Sequence, residues 1–161
     1  MKSLLIWDNC ATFVGKYTNT ASTINKYKDH SNEINMKIIA TSDWHLGNLF
    51  HGNDRLPEHK HFLKWLLERI AEQQPDALLV AGDIFDNGNP SAAAQTAYYE
   101  FLADATQQCP NMQVIITAGN HDSASRLEAP RPLLTRYHVE IRGNIRKIWT
   151  NGEWIFSFDD L

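Results

Sequence analysis

The stretch MKIIATSDWHLG, residues 36–47, decides the fold. Its first six residues form a compact apolar run with β-branched side chains, which predicts a buried strand. Asp43 and His45 follow directly, so side chains that can bind a metal ion stand at the carboxyl end of that strand. A short apolar strand of this kind is typical of a parallel sheet covered by helices.

The same order of strand, polar loop and helix recurs twice downstream. Residues 77–81 (ALLVA) and 114–117 (VIIT) predict two further buried strands. Apolar residues at three- and four-residue spacing predict one helix in each interval, the first ending before Pro75 and the second beginning at Pro90. The repeated unit predicts an α/β fold in β-α-β-α-β order with a parallel sheet.

Three shorter elements are expected after the third strand. Residues 131–136 predict a short helix, and residues 139–141 predict a short strand. Residues 148–158 alternate around Asn151-Gly152, a dipeptide that favours a tight turn, and so predict a C-terminal hairpin.

Residues 1–35 differ in composition from the rest of the chain. Asn and Thr recur there without a sustained apolar period, so the segment can bury little, and we expect a poorly ordered N-terminal extension. The character changes at Met36, which is itself a possible initiator. We expect translation of the natural protein to start there, and residues 36–161 to form the domain.

Composition excludes several classes of protein. The 161 residues are 43% apolar and 21% charged, which excludes a wholly disordered, collagenous or membrane-spanning chain. The formal net charge of −4 excludes a generally basic nucleic-acid coat, but not binding of phosphates through metal ions. Cys10 and Cys109 are too few for a disulfide framework, so we expect a reducing compartment. No apolar run approaches the roughly 18 residues that a transmembrane helix requires, so we expect a cytoplasmic chain and no membrane partner.

A polar cluster with metal-binding side chains follows each predicted strand at once. The clusters are residues 43–45 (DWH), 82–86 (GDIFD) and 119–122 (GNHD). Ligands of open α/β sheets bind outside the carboxyl ends of the strands, so we expect these loops to converge on one edge.

The residue types suit a pair of divalent ions. Asp43 and His45 can turn toward one ion, and the two oxygens of Asp83 can bridge two ions roughly 3.5 to 4 Å apart. Asn120 adds a neutral amide oxygen. Oxygen and imidazole ligands fit Mn, Fe, Zn or Mg, of which Mn is our leading expectation. Such ions lower the pKa of a bound water and hold phosphoryl oxygens.

The remaining polar residues receive other interpretations. We expect His121 to stabilise developing charge or protonate the leaving oxygen, with Asp122 orienting its imidazole. Asp86 is interpreted as a loop cap or a group behind the ligands. Solvent exposure is the expectation for three histidines, at positions 51, 59 and 61, and for the basic residues between positions 126 and 147. The alternatives are that His51 approaches the substrate and that the basic residues contact DNA.

At these residues a family resemblance is recognisable. DxH, GDxxD and GNHD in this order resemble the first three signatures of calcineurin-like metallophosphoesterases, which implies part of an α/β/β/α sandwich. Residues 41–47 (TSDWHLG), 81–91 (AGDIFDNGNPS) and 118–123 (AGNHDS) resemble more narrowly the SbcD family, the nuclease subunits of bacterial SbcCD complexes. The resemblance runs from Met36 to about residue 142.

The resemblance implies a Mn-dependent nuclease that acts on DNA. Its activities would be 3'-to-5' double-strand exonuclease and single-strand or hairpin endonuclease, in partnership with an SbcC-type ATPase during DNA replication and recombination. We expect the full-length protein to be a homodimer. By the family pattern the metal ligands are Asp43, His45, Asp83 and Asn120, and His121 is the catalytic histidine.

The chain departs from the family pattern downstream. Family members carry further metal-binding histidines, one isolated and two in a GHxH motif, followed by a DNA-capping region and a segment that docks SbcC. After His121 this chain contains only His138, outside a GHxH context. Residues 36–161 therefore resemble the truncated amino-terminal part of such a domain. We expect little or no nuclease activity from this chain alone, and an uncovered apolar sheet surface that favours self-association.

Two other functions remain open. The same chemistry could serve a phosphoesterase that acts on a phosphoprotein or a small molecule such as a cyclic nucleotide. The chain could also be an inactive fragment that only binds DNA or a partner.

Overall fold

The computed structural model describes residues 3–7, 10–18, 35–143, 146–150 and 153–157, with side chains described for residues 36–143. The strands are β1 Ser3–Trp7, β2 Cys10–Thr18, β3 Asn35–Thr41, β4 Leu49–Phe50, β5 Asn53–Asp54, β6 Ala77–Ala81, β7 Gln113–Thr117, β8 Val139–Arg142, β9 Arg146–Thr150 and β10 Glu153–Ser157. The helices are α1 Leu56–Gln73, α2 Ala92–Gln108, α3 Ala124–Glu128 and α4 Arg131–Leu134, followed by a 3₁₀ turn at Thr135–Tyr137.

The main sheet has six strands in the order β1-β2-β3-β6-β7-β8. The last four are parallel, which confirms the predicted α/β class and the β-α-β-α-β order. Thr41 pairs with Val80, and Ala81 pairs with Thr117, so β3, β6 and β7 end almost level with one another. The loops that follow these strands therefore leave the sheet at one edge.

One face of the sheet carries the core. Its strands advance in one direction across the sheet, and right-handed crossovers then place the connecting helices on the same side. Apolar side chains of β3, β6, β7, α1 and α2 are buried there, including Ile39, Leu78, Val114, Leu66 and Phe101. The alternate residues Ala40, Leu79 and Ile115 lie on the other face and are half-buried. The expectation of an uncovered apolar sheet surface stays a prediction.

The prolines predict the limits of α1, whereas α2 begins at Ala92, two residues after the predicted start at Pro90. Pro57 occupies the first turn of α1, and Gln74 adopts a left-handed φ of 44° just before Pro75. Ser91 caps α2, since its Oγ accepts a hydrogen bond from Ala94 N at 3.2 Å. Within the described ranges, no helix combines the length and apolar character needed to cross a bilayer.

The N-terminal segment differs from its prediction. The expectation of a poorly ordered extension is wrong for β1 and β2, which pair antiparallel with each other, and β2 pairs with β3. Such pairing satisfies backbone donors and acceptors and needs no apolar period in the sequence. Residues 19–34 lie outside the described residues, so the predicted domain boundary at Met36 stays a prediction.

Some of the shorter elements were predicted from the sequence and others were not. The C-terminal hairpin is confirmed by the pairing of β9 with β10, although Asn151 and Gly152 lie outside the described residues. No sequence pattern indicated α3 or the short β4–β5 hairpin. That hairpin turns at His51 and Gly52, which both have positive φ, as a two-residue type I′ turn requires.

Candidate metal centre

The three predicted loops converge on one edge of the sheet. The first two continue side by side beyond β3 and β6, because His45 N donates to Asp83 O and Leu46 N donates to Ile84 O, both at 2.9 Å. The second and third are joined at their start, where Gly82 N donates to Thr117 O at 3.1 Å. The predicted convergence is confirmed.

Donor atoms of Asp43, His45 and Asp83 lie within 4.8 Å of one another. All three residues have left-handed backbones, with φ of 57°, 46° and 49°. A residue with a Cβ adopts this conformation rarely, and such strained positions concentrate at functional sites. The three residues therefore adopt an unfavourable backbone conformation, and in that conformation their ligand-type side chains lie close together.

Trp44 anchors the first loop in the core. Its ring is 3% exposed and packs edge-on against Phe101 and Phe62, with centroids 5.2 and 6.0 Å away. Its Nε1 donates to Thr41 Oγ1 at 3.0 Å, so the buried indole nitrogen has a partner. A fixed Trp44 between Asp43 and His45 holds the backbone on which both side chains stand.

Two glycines allow the loops to touch. A Cβ at Gly119 would overlap the carboxylate and backbone nitrogen of Asp83, lying 2.7 Å from Cγ. A Cβ at Gly82, whose φ is +83°, would lie 3.1 Å from the Cα of Gly119. The absent side chains therefore make room for Asp83 and for the neighbouring loop.

His121 stands beside this group. Its backbone nitrogen donates to Asp83 Oδ1 at 2.9 Å, and its imidazole lies edge-on to that of His45, with centroids 4.9 Å apart. Its Nδ1 bonds the carbonyl of Asp86 at 2.9 Å, and a carbonyl can only accept, so Nδ1 carries the proton. This hydrogen bond raises the pKa of His121 above 6.5, and the carboxylates of Asp83, Asp86 and Asp122 act in the same direction.

Asp86 lies closer to the centre of the site than its interpretation as a loop cap or a group behind the ligands predicts. Its Oδ1 accepts a hydrogen bond from Asn48 Nδ2 at 2.7 Å and lies 3.8 Å from His45 Nδ1. That nitrogen is shielded from solvent and has no hydrogen-bond partner among the described residues. Donor atoms of His45, Asp86 and His121 form a second group within 4.8 Å. The spacing GDxxD, with two buried residues between the carboxylates, was the available signal.

Asp122 plays a different part from the predicted one. Its carboxylate accepts hydrogen bonds from the backbone nitrogens of Ile84, Phe85 and Gly119. The imidazole of His121 is instead oriented by the carbonyl of Asp86. The expectation that Asp122 orients the imidazole is therefore wrong, because the carboxylate faces backbone amides of its own loop and the second loop.

One histidine outside the site also differs from its prediction. His59 is only 9% exposed, and its Nδ1 accepts a hydrogen bond from Gly47 N at 3.4 Å. Burial, with help from Arg55, lowers its pKa below 6.5. The expectation of solvent exposure is wrong for His59, whereas His51 and His61 are exposed as predicted.

Comparison with known proteins identifies the family. The model of the family described as calcineurin-like phosphoesterase matches residues 36–157, most of the chain. The chain belongs to this family.

Relatives of this calcineurin-like phosphoesterase include the SbcD subunits of several bacterial SbcCD nucleases. The chain is 45% identical over 112 residues to SbcD of Rhodobacter capsulatus, covering 70% of this chain and 28% of the relative. It is 43% identical over 99 residues to SbcD of Escherichia coli K12, covering 62% of this chain and 24% of the relative. For SbcD of Bacillus subtilis the values are 38% over 108 residues, covering 67% and 27%. The chain thus spans about a quarter of the length of these relatives.

The donor set of this calcineurin-like phosphoesterase fits a divalent cation. Carboxylate oxygens of Asp43 and Asp83 with an imidazole nitrogen of His45 suit the first-row divalent metals and Mg²⁺. Asn120 is exposed and lies between Gly119 and His121, which both approach Asp83. Its part as a ligand stays a prediction.

Proposed function

We propose that this chain carries the first part of the active site of a metal-dependent DNA nuclease of the SbcD kind. The observation that carries the proposal is the meeting of Asp43, His45 and Asp83 within 4.8 Å, beside His121. Asp43 and His45 belong to the first loop, Asp83 to the second and His121 to the third, and a merely structural turn would not require them to meet. The names of the relatives support the nuclease assignment.

Two divalent ions, with Mn favoured over Mg, Fe and Zn, would be held by Asp43, His45, Asp83 and Asn120. When bound, they supply Lewis-acid chemistry that neutralises phosphoryl charge and makes a water more acidic. The protein's own residues fix where that chemistry occurs. Asp83 stands between the first loop and the third, so it is the residue best placed to serve both ions.

His121 is the proposed catalytic histidine. Its Nδ1 proton is committed to the carbonyl of Asp86, which fixes the ring and leaves Nε2 as the nitrogen that can carry a second proton. The hydrogen bond from Nδ1 to the carbonyl of Asp86 raises the pKa of His121 above its usual value, which stabilises the protonated ring. We assign Nε2 the transfer of a proton to the leaving oxygen of a phosphodiester.

DNA is the proposed substrate, with 3'-to-5' exonuclease action on double strands and endonuclease action on single strands and hairpins. The partner would be an SbcC-type ATPase, in DNA replication and recombination. This partnership rests on the relatives, which are named as subunits of an SbcCD nuclease.

A second copy of the chain is the proposed occupant of an apolar groove between α2 and α4. The groove encloses about 640 Å³, and its lining includes Tyr99, Leu102, Leu133, Leu134, Tyr137 and Val139. Leu133 is 60% exposed and Tyr137 is 56% exposed, which is unfavourable for a face left in water. A homodimer would cover both side chains.

Calorimetric titration with Mn²⁺ and cleavage of hairpin DNA test the nuclease proposal. We expect the 161-residue chain to bind Mn²⁺ and to cleave far more slowly than the full-length Escherichia coli relative, and Asp83→Ala to abolish both properties. Cleavage that persists after chelation, or in Asp83→Ala, would contradict the proposal.

A chromogenic phosphodiester distinguishes the alternatives. Its hydrolysis without any DNA cleavage would favour a small substrate. DNA binding that Asp83→Ala leaves unchanged, without metal-dependent cleavage, would favour an inactive binding fragment.

A further inference from the structure

We propose that the carboxylate of Asp122 is a clamp that holds Asp83 and Asn120 in their metal-binding positions. Asp122 is then a positioning residue that acts through the backbone of two loops, with no contact to the substrate. The inference rests on the proposed metal-dependent function and adds a residue to its machinery.

The clamp consists of three hydrogen bonds from backbone nitrogens. Oδ2 of Asp122 accepts from Ile84 N at 3.1 Å and from Gly119 N at 2.9 Å, and Oδ1 accepts from Phe85 N at 2.9 Å. Two of these donors belong to the second loop and one belongs to the third. A charged acceptor makes stronger hydrogen bonds than a neutral one, so a single side chain joins the loops firmly.

The clamped residues are the immediate neighbours of two predicted ligands. Ile84 directly follows Asp83, and Gly119 directly precedes Asn120. Ile84 and Phe85 bury their side chains, with exposures of 0% and 4%, while their amides face Asp122. The backbone after Asp83 is thus held by the core on one side and by the carboxylate on the other.

Asp83 needs such support because its own conformation is unfavourable. Its φ of 49° is left-handed, and residues with a Cβ keep that conformation only where the surroundings impose it. Its Oδ1 also accepts from His121 N, so its orientation depends on the position of the third loop. Loosening the clamp would separate the loops and disperse the donor atoms, although each ligand would still be present.

Asp76 offers a matched control at the opposite end of the sheet. It directly precedes β6, and its Oδ2 accepts from the backbone nitrogen of Lys37 in β3 at 2.6 Å. Asp76 therefore uses the same chemistry, a carboxylate that binds the backbone of a neighbouring strand, at a place remote from the ligands. Asp76→Asn therefore reports the general effect of neutralising a carboxylate that binds the backbone of a neighbouring strand.

The test compares Asp122→Asn with Asp76→Asn in the 161-residue chain. Asparagine has the same shape but lacks the charge and one acceptor oxygen. Mn²⁺ affinity is measured from the electron paramagnetic resonance signal of free Mn²⁺, and the thermal midpoint is measured by circular dichroism. We expect Asp122→Asn to remain folded and to lose roughly 10- to 100-fold in Mn²⁺ affinity, as outer partners of metal ligands do. Asp76→Asn should shift the thermal midpoint and keep the affinity of the parent chain.

Wild-type Mn²⁺ affinity in Asp122→Asn would overturn the inference, and so would an equal loss in Asp76→Asn. If Asp122→Asn does not fold, Asp122→Glu takes its place, since it keeps both oxygens but displaces them by one methylene. Weaker Mn²⁺ binding in a folded Asp122→Glu supports the clamp, and unchanged binding overturns it. DNA cleavage is measured separately from Mn²⁺ binding. If the Asp122 variants lose Mn²⁺ affinity as expected but the protein cleaves no DNA, the clamp stands and only the proposed nuclease function is refuted.

Discussion

Oδ1 of Asp86 lies 3.8 Å from Nδ1 of His45, a nitrogen that is shielded from solvent and has no hydrogen-bond partner among the described residues. A metal-binding histidine usually presents its second nitrogen to a carboxylate or carbonyl, which fixes the ring. Asp86 holds the neighbouring imidazole as well, through the bond from His121 Nδ1 to its carbonyl. One residue therefore lies next to both histidines, with its side chain beside one and its backbone beside the other.

Replacement of Asp86 should remove its side-chain contact with His45 and keep its backbone contact with His121. Asp86→Ala removes the carboxylate and keeps the carbonyl, so we expect roughly 10- to 100-fold weaker Mn²⁺ binding from a misoriented His45. Calorimetric titration measures the loss. Asp104→Ala, at an exposed position of α2, is the control and should bind as the parent chain does. Equal affinity in both variants would show that Asp86 does not support His45.

Gly119→Ala tests the close approach of the loops. The added Cβ would overlap Asp83, so the loops must separate, at a cost of about 1 to 3 kcal/mol in the free energy of unfolding and with weaker Mn²⁺ binding. Gly52→Ala is the control, because Gly52 has a φ of +81° but open space around its Cα. It should lose stability only through backbone strain and keep its Mn²⁺ affinity. Denaturant unfolding measures the stability of both variants, and calorimetric titration measures their Mn²⁺ affinity. Equal losses of Mn²⁺ affinity in the two variants would contradict the close approach of the loops as the cause.

Apolar pattern predicted the parts of the fold that depend on burial. The strand at residues 77–81 was correct to the residue, and α1 ends at Gln73, before Pro75 as predicted, because continuous burial and a missing amide leave little choice. β1 and β2 were missed, since strand pairing is made by the backbone. Positions of ligand-type residues at strand ends were predictable from topology.

The contacts of those residues were harder to predict. Asp122 follows His121 in sequence, yet it faces amides 37 and 38 residues away, a choice that only the packed loops reveal. The burial of His59 did have a signal, because it lies three and four residues before Phe62 and Leu63 on the same helical face.

Trp44→Ala should destabilise the protein more than any exposed aromatic substitution. Its ring fills the space beside Phe62 and Phe101, so we expect a loss of about 3 to 5 kcal/mol in the free energy of unfolding. Trp65→Ala is the control, since Trp65 is only partly buried and stacks on Phe62 from outside the buried core. Equal losses, measured by denaturant unfolding, would show that Trp44 is not a special anchor of the first loop.

His59 should make stability depend on pH in the acidic range. Its folded pKa is lowered below 6.5 by burial, so between that lowered value and 6.5 the unfolded chain binds more protons than the folded one. Stability from this group is therefore complete above pH 6.5 and is lost as pH falls toward the folded pKa. Protonation of Nδ1 would also break the hydrogen bond that Nδ1 accepts from Gly47 N.

His59→Asn removes this titration while its Oδ1 can still accept from Gly47 N. Denaturant unfolding between pH 5 and pH 8, a range of roughly three units around the histidine pKa, should give a flatter profile for this variant than for the parent chain. A parent-like slope in His59→Asn would assign the acid sensitivity to other groups.

Leu133→Glu tests the second copy as the occupant of the apolar groove. A carboxylate at this position would lose hydration if the groove were covered, so we expect the variant to be monomeric where the parent chain associates. Sedimentation velocity at several concentrations measures the change. Leu49→Glu is the matched control, because Leu49 is 63% exposed but does not line the groove. Association that persists in Leu133→Glu, or disappears equally in Leu49→Glu, would place the contact elsewhere, and the half-buried sheet face around Leu79 and Ile115 would then be the next surface to alter.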